Sequence, residues 1–358
     1  MNRIVLLLAL FAFALPSFGD GFLRPPKDYK GPLSEDAQEA IIVFTPGTEE
    51  TSAKQDMILK IAVNGQTDDF AWIIPFPNPP KTAKESAKLF DELRNYVRFR
   101  TAPPMPKSNK TGGFFGSAKS AAPPVAKVEV ISRELVGAYE VAVVRENEAN
   151  SLNAWLKENG YQPIPTKGAK VVAEYRAKNY VFACVKVRDT KLATSKTRRA
   201  ELHPLRFSFD TGGRDGVYFP MRLTGLQDEP FNVNLHIFHR YWLNDRVNGY
   251  GYLHRGLKMA HRDWDTARCQ PSGGKSWSDP AGDSFLADAK HLVPSVTKLM
   301  QKRHPGRRFY LTTLKATRVL PADILEGRGD YWFFPFYTNP KMIPYDAQAG
   351  GPAHAIYK

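Results

Sequence analysis

Hydrophobic positions along this chain switch between a period of two and a period near 3.6, and the switches mark its elements. From Glu39, three stretches (39–46, 56–65 and 69–77) read as strands, rich in β-branched or aromatic residues and bounded by Pro, Gly, Asn or Asp. Thr82 and Glu85 have capping-box spacing, and Leu89, Phe90, Leu93, Tyr96 and Val97 recur at helical spacing, so a helix is expected from Thr82 with one apolar face on the sheet. Residues 101–125 mix Pro, Gly, Ser and Lys without periodicity, which predicts a mobile loop. Two strands (126–132 and 138–144) precede a helix carrying Leu152, Trp155 and Leu156 and stopped at Asn159-Gly160. A second helix over 168–178 leads into a strand at 180–187.

After a basic stretch at 186–199, strands reappear at 205–210, 217–223 and 231–243. A helical stripe over 283–302 is kinked or restarted at Pro294, and strands at 309–319 and 331–337 follow. Roughly ten strands to four helices, with strands running consecutively early and late, predict an α+β fold with mostly antiparallel sheets and about four packed helices. The expected division falls near 190–200. It separates an N-terminal α+β region (20–190) from a C-terminal β-rich α+β region (191–358).

Composition narrows the class. With 42% hydrophobic residues in 358 and only two cysteines, the chain can build a core without disulfides, which excludes disordered, collagen-like and knottin-like classes. A formal net charge of +14 favours anionic surroundings. Residues 1–19 read as a secretory signal peptide: Arg3, the apolar run Ile4–Leu15, then Pro16 and the small residues Ser17 and Gly19. That apolar run is shorter than the about 20 residues a membrane-spanning helix needs. The expectation is an exported chain, periplasmic or extracellular, cut after Gly19 and without a transmembrane segment in its mature part. An oxidising compartment would let Cys184 and Cys269 pair, stabilising the fold by about 4 kcal/mol on the chain-entropy account; two free thiols, one of them buried, are the alternative.

Motifs for chemistry are sparse. Residues 269–276 come one glycine short of a phosphate-cradling loop, with Cys269 where the tight turn needs glycine. No Gly-x-Ser-x-Gly elbow is present, and the acidic pairs Glu49-Glu50 and Asp68-Asp69 read as solvent-facing turns. His236 and His239 would point to opposite faces of one strand. His254, His261 and Asp263 form a weak nitrogen/oxygen set for a metal, without the tight spacing of a dedicated site. No cofactor is called for. Pro75 and Pro77 directly follow Trp72-Ile73-Ile74, so the strand is expected to end or lie at a sheet edge there, leaving Trp72 and Phe76 near a rim; a buried strand leaving the core is the competing reading.

Several blocks together carry a family resemblance: 34–44, 56–80, 137–161 and the late run 309–324. Their most specific parts are Asp69-Phe70-Ala71-Trp72 running into Pro75 and Pro77, and Tyr139-Glu140-Val141 followed by Trp155-Leu156 and Asn159-Gly160-Tyr161. In these the chain resembles the bacterial exported family called domain of unknown function 2330, over most of its mature length. The resemblance implies no activity, substrate or catalytic residue. Many members of that family have cysteines near the mature N-terminus and in the central Gly-rich loop. Here Asp20-Gly21-Phe22 and Gly112-Gly113-Phe114-Phe115 have none.

These readings together favour a non-enzymatic binding or interaction module of the bacterial envelope. Its basic segment, with Lys196, Arg198 and Arg199, would meet anionic envelope polymers or another envelope protein; nucleic acid is excluded by export. The alternative is a hydrolase or metal-dependent enzyme with a spatially assembled site. The export expectation is checked by intact-mass and N-terminal analysis of the mature protein, which should begin at Asp20; a chain retaining Met1 in the cell would overturn it.

Overall fold

The computed structural model describes residues 21–47, 51–101, 128–188, 190, 196–212, 216–239, 264–268, 293–304, 310–326 and 330–333. In chain order the elements begin β1 (Phe22–Arg24), β2 (Leu33–Thr45), β3 (Lys54–Gly65), β4 (Phe70–Phe76), β5 (Lys81–Lys84), α1 (Lys88–Thr101), β6 (Glu129–Val136) and β7 (Tyr139–Arg145). Next come α2 (Ser151–Glu158), α3 (Ala169–Ala177), β8 (Val181–Val187), β9 (Arg199–Glu201), β10 (Leu205–Asp210), β11 (Val217–Phe219) and β12 (Phe231–His239). The last are β13 (Trp264–Arg268), α4 (Pro294–Arg303), β14 (Tyr310–Val319), α5 (Pro321–Glu326) and β15 (Tyr331–Phe333). The fold is α+β, with mostly antiparallel sheets. No helix among the described residues is long and apolar enough to cross a membrane.

One sheet has the order β1-β4-β8-β7-β6, and the larger one β13-β14-β12-β2-β3-β10-β5, with β9 also on β3; β11 and β15 form a separate pair. Strand parity shows how these layers stack. Even residues of β4 meet the larger sheet, because Trp72 and Phe76 reach Phe207 across the gap, at ring separations of 6.5 and 5.0 Å. On the other face of the smaller sheet, Phe182 meets Tyr175 of α3, and Lys186 lies over Trp155 of α2. The larger sheet buries Ala40, Ile42, Met57, Leu59, Phe207, Leu235 and Ile237 against the smaller sheet. Its opposite face turns Ile41, Val43, Ile58 and Phe238 toward α1 and α4. The layers therefore run helices, sheet, sheet, helices.

The two sequence regions share this architecture. β12 lies parallel to β2, from Asn232↔Ala37 to Phe238↔Val43, and β10 lies antiparallel to β3. A division near 190–200 therefore does not separate two cores, because strands from both sides of it interleave in one sheet. Residues 1–19 and 102–125 lie outside the described residues.

Helix ends show where local signals held and where neighbours overrode them. At the end of α2, Gly160 takes φ +85°, its N–H donates to Lys157 at 3.1 Å and the Tyr161 N–H donates to Leu156 at 2.9 Å, the paired closing bonds of a left-handed cap. The first helix, in contrast, starts at Lys88 rather than Thr82. Thr82 is paired with Phe207 in β5 and Glu85 is taken by Arg206, so neither is available to cap; the Ser86 hydroxyl accepts the Lys88 N–H at 3.2 Å instead. The expected stripe of Leu89, Phe90, Leu93 and Tyr96 is buried.

Helix α4 begins at Pro294 without a cap of its own. Glu92 of α1 fills that role, its Oε2 accepting the N–H groups of Ser295 at 2.8 Å and Val296 at 3.2 Å. Glu92→Ala is expected to lower stability by about 1–2 kcal/mol in urea unfolding, and Glu92→Gln, which keeps an acceptor, by less.

Candidate functional site

Trp72 and Phe76 are core residues, 2% and 0% exposed, which corrects the expected rim. Pro75 does not make β4 an edge strand because its missing N–H falls where no strand pairs. Its carbonyl accepts the Tyr218 hydroxyl at 3.0 Å on the side away from β8, and on that side β1 stops at Phe22↔Ile73. Within one strand residue the N–H and C=O point the same way, so the proline costs no ladder bond.

Lys196, Arg198 and Arg199 are exposed. They enter β9, a three-residue strand antiparallel to the end of β3, with Arg199 opposite Asn64. Arg198 has φ +50°, the left-handed region that non-glycine residues avoid, and is held there by the Gly65 N–H donating to its carbonyl at 3.0 Å. Arg199 lies 3.5 Å from Glu201, which Lys60 also reaches at 2.7 Å. Burial works against the charge of Glu201, yet Lys60 and Arg199 hold its carboxyl below the ordinary value.

Sequence reasoning missed a second concentration of polar side chains, on the helix-covered face of the larger sheet. Asp56 of β3 accepts Arg303 Nε and Nη2, each at 2.9 Å, lies 3.1 Å from His304 Nε2, and accepts the Ser208 hydroxyl. Burial alone would raise the Asp56 carboxyl, but the bonds from His304, Arg303 and Ser208 overcome it and hold the group well below the usual carboxylate range. Farther along the same face, His236 Nδ1 is 3.1 Å from Thr313 Oγ1 and His236 Nε2 is 3.4 Å from Glu39 Oε1. Asn234 donates to Glu39 at 3.0 Å, and Arg94 of α1 pairs with it. The sequence signal for this face was Asn232, Asn234 and His236 at alternate positions of an otherwise apolar strand.

Hydroxyl, imidazole and carboxylate in hydrogen-bonded series make up a proton-transfer unit, but Thr313 and His236 are 0% exposed and Glu39 9%. His239 is on the opposite face from His236, stacked on Phe44 at 5.0 Å. His254, His261, Asp263 and Cys269 lie outside the described residues. Cys184 is fully buried in β8, and burial pushes its thiol up, away from the reactive thiolate. Among the described residues, no three metal-ligating side chains come together.

A family model described as an uncharacterized protein conserved in bacteria (DUF2330) matches residues 45–318, from the end of β2 to the end of β14. The chain belongs to that family. The DUF2330 match crosses the expected regional boundary without a break, as the shared sheet does. Among curated proteins none matches the chain. Among solved structures, baculovirus P35 is 13% identical, with 69% of this chain and 73% of that one covered at a TM-score of 0.35. P35 in the caspase-8/P35 complex is 8% identical, with 84% and 97% covered at a TM-score of 0.32. Likenesses this low carry no conclusion about the DUF2330 chain.

The Asp56 cluster yields a pH prediction. A carboxyl held low in the folded state contributes stability that is complete above its unfolded value, near pH 4, and is lost as pH falls below it. Asp56→Asn is expected to cost roughly 3 kcal/mol at pH 7, because Arg303 is left half-buried without its carboxylate, and to flatten the loss of stability below pH 4. Urea titrations of both proteins at pH 7 and pH 3 check this; parallel pH curves would refute the assignment.

Proposed function

We propose that this chain is an exported binding protein of the bacterial envelope, whose basic turn at Lys196–Arg199 engages an anionic envelope polymer. The observation that carries the reading is the strained, exposed Arg198. A left-handed conformation costs an ordinary residue about 1 kcal/mol where glycine would adopt it freely, and such strain concentrates at sites where the side chain is used. The signal-like segment 1–19 and the net charge of +14 support the same reading. Other arginines bear on it too: Arg94 and Arg222 sit on Glu39 and Glu174, so their charge is spent inside the fold.

A hydrolase reading draws on the Thr313–His236–Glu39 series. It ranks second because Thr313, His236 and Glu39 are all buried, with Arg94 of α1 over Glu39.

The test is salt elution of the mature protein from an immobilised polyanion. Replacing Lys196, Arg198 and Arg199 together by alanine is expected to move elution to clearly lower salt, since exposed charges are screened within about 10 Å at moderate ionic strength. Arg198→Gly is expected to weaken retention while raising stability by about 1 kcal/mol, and that opposition separates a used residue from a merely tolerated one. Unchanged elution of the triple variant would end this reading.

A further inference from the structure

The face that β3, β10 and β5 turn toward α4 carries Arg206, Lys54 and Lys81, and with Arg303 of α4 these cations outnumber the carboxylates Glu85, Asp56 and Asp210. Arg206 and Ser208 stand one pleat apart on that face, and Arg303 donates from Nη2 to Ser208 Oγ at 3.1 Å. The two guanidinium groups are therefore close neighbours at the margin of the sheet, with side chains only 15% and 29% exposed. Like charges repel more strongly as water is excluded. Burial first, and then the charge of Arg303, pull Arg206 below its ordinary value.

Glu85 and Asp56 answer one arginine each. A third cation, the exposed Lys81 of the edge strand β5, is registered directly opposite Ser208, and His304 adds a further donor to Asp56. The Nε of Arg206 is buried, and no acceptor meets it among the described residues. A planar guanidinium fork with an unused N–H matches an acceptor with several oxygens better than it matches a single carboxylate.

We propose that Arg206, Arg303 and Lys81 form a binding site for a phosphoryl group, either free inorganic phosphate or the terminal phosphate of a monoester, at the sheet margin where β5 and β10 meet the C-terminal end of α4. A phosphoryl group brings close to two negative charges at neutral pH, which offsets the surplus that Glu85, Asp56 and Asp210 leave, and its oxygens supply the acceptor that Arg206 Nε lacks. The site is separate from the basic turn. Ser208 pairs with Asp56 and Arg199 with Asn64, eight residues apart along β3 and so about 27 Å. Either proposal can therefore fail without the other.

The experiment is thermal unfolding of the mature chain near pH 7 in rising sodium phosphate, with sodium chloride adjusted to constant ionic strength, and a second arm using glycerol phosphate. Phosphate is expected to raise Tm by roughly 5 °C at saturation. Arg206→Gln should abolish that increment, Lys81→Ala should reduce it, and Lys196→Ala should leave it intact. Because Lys81 is exposed, its alanine variant keeps the test open even if Arg206→Gln does not fold. Stabilisation by phosphate alone assigns the site to the free ion, and stabilisation by both assigns it to a phosphate end group. No increment over chloride, or an increment unchanged in both Arg206→Gln and Lys81→Ala, would overturn the site.

Discussion

Residues Asn232–Phe238 lie parallel beside Ala37–Val43, and this pairing, between segments almost two hundred residues apart in the chain, sets the placement of nearly everything else. It brings the strands before and after α2 and α3 into one sheet. Register follows from it with little freedom. Leu235 beside Ala40 and Ile237 beside Ile42 face the inter-sheet core, whereas Asn234 beside Glu39 and His236 beside Ile41 face the helices. A slip of one residue would drive His236 and Asn234 into an apolar interior and turn Leu235 onto a carboxylate. The hydrogen bonds joining Glu39, Asn234, His236 and Thr313 are satisfied in one register, so this buried polar network discriminates against slipped pairings more than it adds net stability.

The same constraint explains how the chain spends its charge. A sheet covered on both faces has no solvent to take up polar groups, so each carboxylate on its helix-covered face needs a partner within reach. Glu39 takes Arg94 from α1, Asp56 takes Arg303 and His304 from α4, and Glu92 closes the start of α4. Those contacts tie both helices to the sheet at defined points. They also account for Arg94, whose charge is taken up by Glu39 rather than by an outward field. Of the positive groups standing outward, Lys81 lies in β5 and Arg199 in β9, short strands at the sheet margin, where a side chain can reach solvent without breaking a ladder.

Much of the fold was legible because it is local. β2, β3, β4, β7, β8 and β10 announce themselves through β-branched and aromatic runs, α1 through its apolar stripe and the end of α2 through Asn159-Gly160, since each depends on residues close in sequence. What escaped depends on distant partners. β1, β5 and β9 are three or four residues long and exist because β4, β10 and β3 offer them an edge, not because their own residues favour extension. Thr82 and Glu85 have the spacing of a helix cap, and tertiary pairing took both away. Trp72 and Phe76 were misplaced for a related reason: Pro75 argues for an edge only if its missing N–H faces a neighbour, and where β1 ends decides that. The Glu39–His236–Thr313 series comes from three strands whose adjacency no local pattern encodes.

An enzymatic use of that series would require its buried side chains to be opened to a substrate, and the helices packed on the same face resist it. Helix α4 is pinned at its start by Glu92 and at its end by Asp56, and between these points Val296 and Met300 are buried against Ile41, Val43, Ile58 and Phe238. Lifting it would break two charge-assisted contacts and expose a continuous apolar face at the same time, a combined cost of several kcal/mol before any substrate is bound. An exposed basic margin meets no such barrier. The balance between a binding protein and an enzyme therefore turns on access, and among the described residues the Thr313–His236–Glu39 series is shut away from solvent.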